Sequence, residues 1–166
     1  MIPVLTTERL TLRAPEAADF EGMYSILGDL RSQYMDGPMS RADAWNFFSR
    51  EVAGWTLHGF GYWSITATES GDYLGSVGFG RHEWFPETEI GWCLTSAAEG
   101  RGIAREAASA ALKWGTVQPQ ITSLVSYIDP PNSRSIRLAE ALGAVRDDDA
   151  ERPTASDLVY RHEVRP

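Results

Sequence analysis

Two glycines bracket an arginine at Gly100-Arg101-Gly102, and Ile103-Ala104-Arg105-Glu106-Ala107 follows at once. A strand-like run, Glu89-Ile90-Gly91-Trp92-Cys93-Leu94, comes just before them. A strand that feeds a Gly-x-Gly turn opening a helix leaves several backbone N–H groups unpaired at the positive end of the helix dipole. Such a turn binds anions, phosphate and pyrophosphate above all. The same glycines also suit a tight turn with close helix packing. Of two common phosphate loops, one is excluded and the other disfavoured. No Gly-Lys-Ser/Thr follows, so the turn is not a Walker loop, and the third glycine of a dinucleotide fingerprint is missing.

Other reactive side chains form weaker patterns. Cys93 is the single cysteine and has no histidine in a matching local motif, which predicts a buried thiol rather than a nucleophile. His58, His82 and His162 lie far apart without metal-ligand spacing, and no Gly-x-Ser-x-Gly elbow accompanies them. No metal is expected, and no serine-hydrolase chemistry. Trp84-Phe85-Pro86 precede the Glu89 strand, in a place to wall an acceptor pocket or a dimer contact.

The elements that must position these residues follow from periodicity. Leu10 and Leu12 alternate with Thr11 and Arg13 as a first strand, and Pro15, Glu16 and Asp19 open a helix running to about Leu27. Ser40 with Asp43 resembles a capping box, and Ala44, Phe47, Phe48, Val52 and Trp55 keep helical spacing behind it. Tyr62 to Thr68, Tyr73 to Gly80 and Thr88 to Leu94 read as an antiparallel meander, with a Glu69-Ser70-Gly71-Asp72 turn in the first hairpin. From Ile103, the small residues Ala104, Ala107, Ala108 and Ala111 make a helix face that can sit close to a sheet. Ser123 to Ile128 is a strand, Asn132 caps a helix ending at Leu142-Gly143, and Leu158 to Val164 is a last strand. The order is α+β, with one strand–helix–strand crossover.

The chain has 166 residues, 43% of them apolar, which suits one buried core and a single domain over residues 1–166. The opening residues lack the basic start and long apolar stretch of a secretory signal, and no run approaches the roughly 20 apolar residues of a membrane span. The expectation is a soluble, cytoplasmic protein. A net charge of −8 opposes nucleic acid and anionic membrane and favours cationic partners. An anionic ligand must then be held by local N–H groups and a few arginines.

Four segments, in order, resemble the GNAT N-acetyltransferases, in the branch of the ribosomal-protein N-terminal acetyltransferases. Thr7-Glu8-Arg9-Leu10-Thr11-Leu12-Arg13 is similar to that branch's opening strand, and Glu89-Ile90-Gly91-Trp92-Cys93-Leu94 to its fourth. Gly100 to Ala107 resembles its pyrophosphate turn, and Asn132-Ser133-Arg134-Ser135-Ile136-Arg137-Leu138 the start of its late helix. One position departs: where the superfamily has Gln or Arg three residues before the second glycine, this chain has Glu99, which should not touch phosphate.

The resemblance implies a mixed, mostly antiparallel sheet that splays in the middle, flanked by helices, with acetyl-CoA as co-substrate. Backbone groups of Trp92, Cys93 and Leu94 would bind the pantetheine amides like one more strand. The pyrophosphate would lie on the N–H groups of Gly100, Arg101, Gly102, Ile103 and Ala104, with Arg101 and Arg105 as salt partners. Asn132 would reach the pantetheine arm or serve as a plain N-cap. Attack of a neutral amine on a thioester needs a proton acceptor and an acid for the departing thiolate. Glu89 is the candidate base, directly or through a water, and Ser135 the candidate acid or thiol-orienting donor, with Tyr127 as the alternative. The acceptor is an amine, on a small molecule or a protein N-terminus, and a homodimer stays open. A non-catalytic acyl-CoA-binding sensor or interaction module would keep the turn and the splay but need neither base nor acid.

Overall fold

In the computed structural model, which describes residues 1–164, eight strands form one mixed sheet in the order β1-β2-β3-β4-β5-β6-β8-β7. They are β1 (Leu5–Thr6), β2 (Leu10–Arg13), β3 (Tyr62–Ala67), β4 (Tyr73–Gly80), β5 (Thr88–Leu94), β6 (Leu124–Ile128), β7 (Val145–Arg146) and β8 (Leu158–Arg161). Four helices flank the sheet: α1 (Phe20–Leu27), α2 (Arg41–His58), α3 (Ile103–Gly115) and α4 (Ser133–Ala141). Every strand pairing is antiparallel except that of β5 with β6. This is the α+β architecture expected, with its meander at β3-β4-β5 and its crossover through α3. Among the described residues no helix is long and apolar enough to cross a membrane.

Local chemistry explains most boundaries. Ser40 Oγ accepts the Asp43 N–H and starts α2, and Gly59, at φ +76°, ends it. The helix expected after Pro15 begins differently. A short 3-10 turn over Ala17–Asp19 precedes α1, because the Asp19 carboxylate is committed elsewhere. Only 4% exposed, it accepts both Arg13 guanidinium nitrogens at 2.8 Å, the Ser64 hydroxyl at 2.6 Å and the Glu16 N–H at 2.8 Å. Burial opposes its charge, yet the bonds from Arg13, Ser64 and Glu16 hold the carboxyl below the usual range. One side chain thus ties the entry of α1 to β2 and β3.

Four elements differ from expectation. The two-residue strands β1 and β7 carry no alternation to read, and exist because β2 and β8 offer them a partner. Leu30–Met35 forms a 3-10 helix in a stretch with no periodicity. The last strand ends at Arg161 rather than Val164, since its register with β6 starts there and runs back to Leu158.

Strand alternation splits β5 between two cores. Ile90, Trp92 and Leu94 pack with the α3 side, where Ala107, Ala108 and Ala111 are fully buried. Cys93 packs with Met23, Leu27 and Phe48 beneath α1 and α2. The α3 face must be small, because a Cβ on Gly115 would lie 2.2 Å from the Phe79 ring.

The parallel pairing of β5 and β6 is short: Thr88 opposes Leu124 and Glu89 opposes Val125, and there it stops. Beyond that point β5 stays with β4 while β6 follows β8 to Ile128. A side chain holds the parting. Ser126 Oγ donates to the Ile90 carbonyl at 2.9 Å and lies 3.1 Å from His162 Nε2. With the hydroxyl proton on Ile90, the ring must donate from Nε2. His162 is 5% exposed, and burial pushes its pKa down to about 4, so the ring is neutral.

Ser126→Ala should therefore cost about 1–3 kcal/mol in urea unfolding, the range for leaving buried partners unsatisfied. The parent itself should lose stability as pH falls from about 6.5 towards about 4, where the unfolded ring gains a proton that the folded ring refuses.

Candidate active site

The turn before α3 is built for backbone presentation. Gly100 and Gly102 sit at φ +72° and +76°, a conformation that L side chains rarely adopt, and α3 begins at Ile103. The first N–H groups of that helix have no intrahelical acceptor and point outward. The opening strand region holds this turn from behind. Glu106 accepts the Thr7 hydroxyl, the Arg9 backbone N–H at 3.1 Å and Arg9 Nε at 2.7 Å, while Arg9 Nη1 donates to the Arg101 carbonyl at 3.1 Å. Residues almost 100 positions apart fix the shape of the anion-binding turn.

A cavity of about 290 Å³ lies over that turn, lined by Trp92, Cys93, Leu94, Gly100, Gly102, Ile103, Ala104, Arg105, Asn132 and Ser135 among the residues singled out from the sequence. Arg101 does not line it. Its guanidinium folds back toward the Ala97 carbonyl. Two other arginines take part instead: Arg31 Nη1 and Arg134 Nη1 both line the cavity side and donate to Glu99, at 3.0 and 2.8 Å. Glu99 thus holds a pair of guanidinium groups beside the turn.

The splay decides which backbone groups face the cavity. Ile90 turns its carbonyl toward β6, where Ser126 meets it, and Thr95 turns its N–H toward β4, where it donates to Leu74. By alternation, Trp92 and Leu94 present N–H and C=O to the open splay, whereas Cys93 faces Ser76 on β4. Two of the three expected backbone partners are therefore free on that side.

A second cavity, about 400 Å³, lies on the α1–α2 side of β5. Glu89 opens onto it, as do Tyr127, Trp84 and Phe85. The two cavities share Tyr34, Met35, Trp92, Cys93, Asn132 and Ser135, so they meet at one junction. Asn132 Oδ1 accepts the Ser135 N–H at 3.2 Å as a helix cap, and its amide nitrogen is left to the junction. Ser135 Oγ accepts the Trp92 indole N–H at 3.3 Å, which leaves its own proton to donate. Tyr127 sits away from the junction, its hydroxyl accepting the Glu87 N–H at 3.2 Å.

Electrostatics separate the two reactive groups on β5. Burial, then repulsion from Glu51, push the Glu89 carboxyl up to about 8, against a hydrogen bond from the Tyr127 backbone. Burial pushes the Cys93 thiol up to about 12, so it stays protonated and a poor nucleophile. Sequence reasoning gave no site role to Glu51, to Tyr62 on its strand or to His82, which it weighed only as a metal ligand; all three line the second cavity around Glu89. A signal existed for Glu51: it interrupts the apolar stripe of α2 between Phe48 and Trp55. Among the described residues no three His, Cys, Asp or Glu are grouped to hold a metal.

Comparison with known proteins agrees with this geometry. The acetyltransferase (GNAT) domain family matches residues 9–145. Bacillus subtilis YkkB is 30% identical over 149 residues, covering 84% of this chain and 83% of that protein. The crystal structure of an acetyltransferase from Agrobacterium tumefaciens strain C58 is 39% identical, covers 98% of this chain and 95% of its own, and superposes with a TM-score of 0.94. RimL, a ribosomal alpha-N-protein acetyltransferase solved with coenzyme A, shares the fold at 17% identity and a TM-score of 0.77, with 98% of each chain covered. The chain belongs to the GNAT family and is an acetyl-CoA-dependent acetyltransferase.

The raised Glu89 carboxyl has a consequence for stability. The folded protein holds that proton up to about pH 8, whereas the unfolded chain releases it near 4.3, so this contribution is present at low pH and lost as pH rises to about 8. Glu89→Gln should melt higher than the parent, with a gain that is small near pH 5 and grows towards pH 8. A gain that does not change with pH would place the carboxyl in water.

Proposed function

We propose that the protein transfers the acetyl group of acetyl-CoA to a primary amine by direct attack, with Glu89 as proton acceptor and Ser135 as donor to the departing sulfur. The observation that carries this reading is the junction. A cavity over an anion-binding turn meets a second cavity that contains a half-buried, proton-holding carboxyl, and Ser135 stands between them.

The residues fit coenzyme A without rearrangement of the fold. Free N–H groups at Gly102, Ile103, Ala104 and Arg105 suit the pyrophosphate, with Arg105, Arg31 and Arg134 near enough to neutralise it. The open backbone of Trp92 and Leu94 suits the pantetheine amides, and Asn132 adds an amide nitrogen at the junction. RimL, solved with coenzyme A, supports this placement by its fold.

Proton handling follows from the environments. A base at about 8 is matched to an amine of roughly 8 to 10, so transfer between them is near balance. Ser135 donates a hydrogen bond to the departing thiolate, which, with a pKa near 8.5, then takes its proton from water. A protonated Cys93 takes no part, which favours direct attack over an acyl-thiol relay. The acceptor is a small amine or a protein N-terminus.

Thiol release from acetyl-CoA in the presence of amines tests the reading. Turnover should rise with pH through about 8 as Glu89 ionises. Glu89→Gln should lower it by about 100-fold or more, in the range of general-base catalysis, with the affinity for coenzyme A little changed. Ser135→Ala should slow it less. Parent-like rates in both variants across the pH range would remove these roles. Gly102→Val should abolish the thermal stabilisation by coenzyme A, because its φ of +76° strains a branched side chain at the turn. Stabilisation retained in a folded Gly102→Val protein would put the cofactor elsewhere.

A further inference from the structure

The second cavity is lined with acid. Asp36, Glu51, Glu89, Asp129 and Asp157 all open on it, and among the described residues Arg50 is the one guanidinium or ammonium in its lining. The acids fall into two groups. Glu89 feels the Glu51 carboxylate, while Asp157, whose carboxyl is raised first by burial, feels Asp129 and Asp36. Like charges gathered around one space attract a cation into it.

Glu51 is unlike the rest. It lies on the buried face of α2 and is 5% exposed. Its Oε1 has only distant neighbours, His82 Nε2 at 3.4 Å and Arg50 Nε at 3.8 Å. Its Oε2 is buried and has no hydrogen-bond partner. A buried carboxylate oxygen without a partner costs stability, since water is withdrawn and nothing replaces it. Arg50 does not close the gap. It is largely exposed, and its guanidinium lies over the Phe47 and Trp84 rings. The terminal bond of a glutamate turns easily, so a small rotation would bring Oε2 to the cavity. What Glu51 Oε2 lacks is a donor.

We propose that the acceptor is an amine bearing a second cationic group, and that Glu51 binds that second cation while the reacting nitrogen faces Glu89. This rests on the acetyltransferase reading of the site and narrows its substrate class to diamines and similar dications. Asp36, Asp129 and Asp157 draw such a molecule in, and the Trp84 ring, stacked on His82 at 5.1 Å, and the Phe85 ring, edge-on to His82 at 4.6 Å, supply an apolar wall for its carbon chain. A monoamine of the same length, with its one nitrogen at Glu89, would leave Glu51 as it is and gain nothing from it.

The test compares diaminobutane with butylamine as acceptors, using the full chain and acetyl-CoA, for the parent and Glu51→Gln. The parent should prefer the diamine by at least about tenfold in kcat/KM, the scale of one hydrogen bond to a charged group. In Glu51→Gln the preference should fall to about one, through KM rather than kcat. The variant should melt at or above the parent temperature, because it removes an uncompensated buried charge; that result shows that the lost preference is not lost folding. Calorimetric binding of the two amines to the coenzyme A-loaded protein gives a readout independent of turnover. Diamine binding that depends on Glu51, with no thiol released, would keep this assignment and defeat the catalytic one. Equal use and equal binding of the two amines by the parent, or a preference that survives in folded Glu51→Gln, would overturn the assignment.

Discussion

The site exists because two neighbouring strands stop pairing. Strands β5 and β6 share only two register positions, and the Ser126 hydroxyl on the Ile90 carbonyl marks where they part. A strand that loses its partner in the middle of a sheet exposes N–H and C=O groups that would otherwise be costly to bury. Here the exposure is one-sided and short, covering Trp92 and Leu94, and it opens beside a helix N-terminus. The neutral His162 ring completes the device: it keeps Ser126 oriented without placing a charge in the core. Everything chemical in the protein lies along that opening.

Around the splay, distant segments act as braces. Thr7 and Arg9 grip Glu106 and the Arg101 carbonyl, so the glycine turn is held by the first strands of the chain. Asp19 binds Arg13 and Ser64, which fixes α1 over β2 and β3 and with it the floor of the acceptor side. The Asp19 bonds are charge-assisted and lie in partly or fully buried places, where they are stronger than on an open surface, whereas those of Arg9 lie at the surface. Glycines supply the turn's backbone angles, but the braces supply its position.

Charge is distributed unevenly between the two cavities. The cavity over the glycine turn gathers Arg31, Arg105 and Arg134 around a helix N-terminus, two of them paired with Glu99, within a protein whose net charge is −8. The second cavity gathers carboxylates, and burial raises one of them, Glu89, into the range where proton exchange with amines is near balance. One face of β5 therefore favours an anion and the other a cation. Alternation along a single strand is enough to separate them, since odd and even residues point to opposite sides of the sheet.

The sequence by itself determined most of the elements and of the residues that line the cavity over the glycine turn. Glu89 to Leu94, Gly100 to Ala107 and Asn132 to Leu138 carry short-range patterns, whose physics of alternation, capping and helix initiation is local and can be read along the chain. The same local physics does not reach Glu51, Arg31 or Arg134. Glu51 looks like a solvated residue on a helix that otherwise shows an apolar stripe, and its burial depends on how α2 lies against β3 and β4. Arg101 had the right type and spacing for phosphate, yet its side chain returns to Ala97 while two arginines from other segments enter the cavity. Which backbone groups of β5 are free was likewise settled by the partner strands, because register across a sheet is a long-range property. Tertiary structure decided who faces whom. Burial and the sign of neighbouring charges set the chemistry of a carboxylate, and both depend on residues far away in sequence.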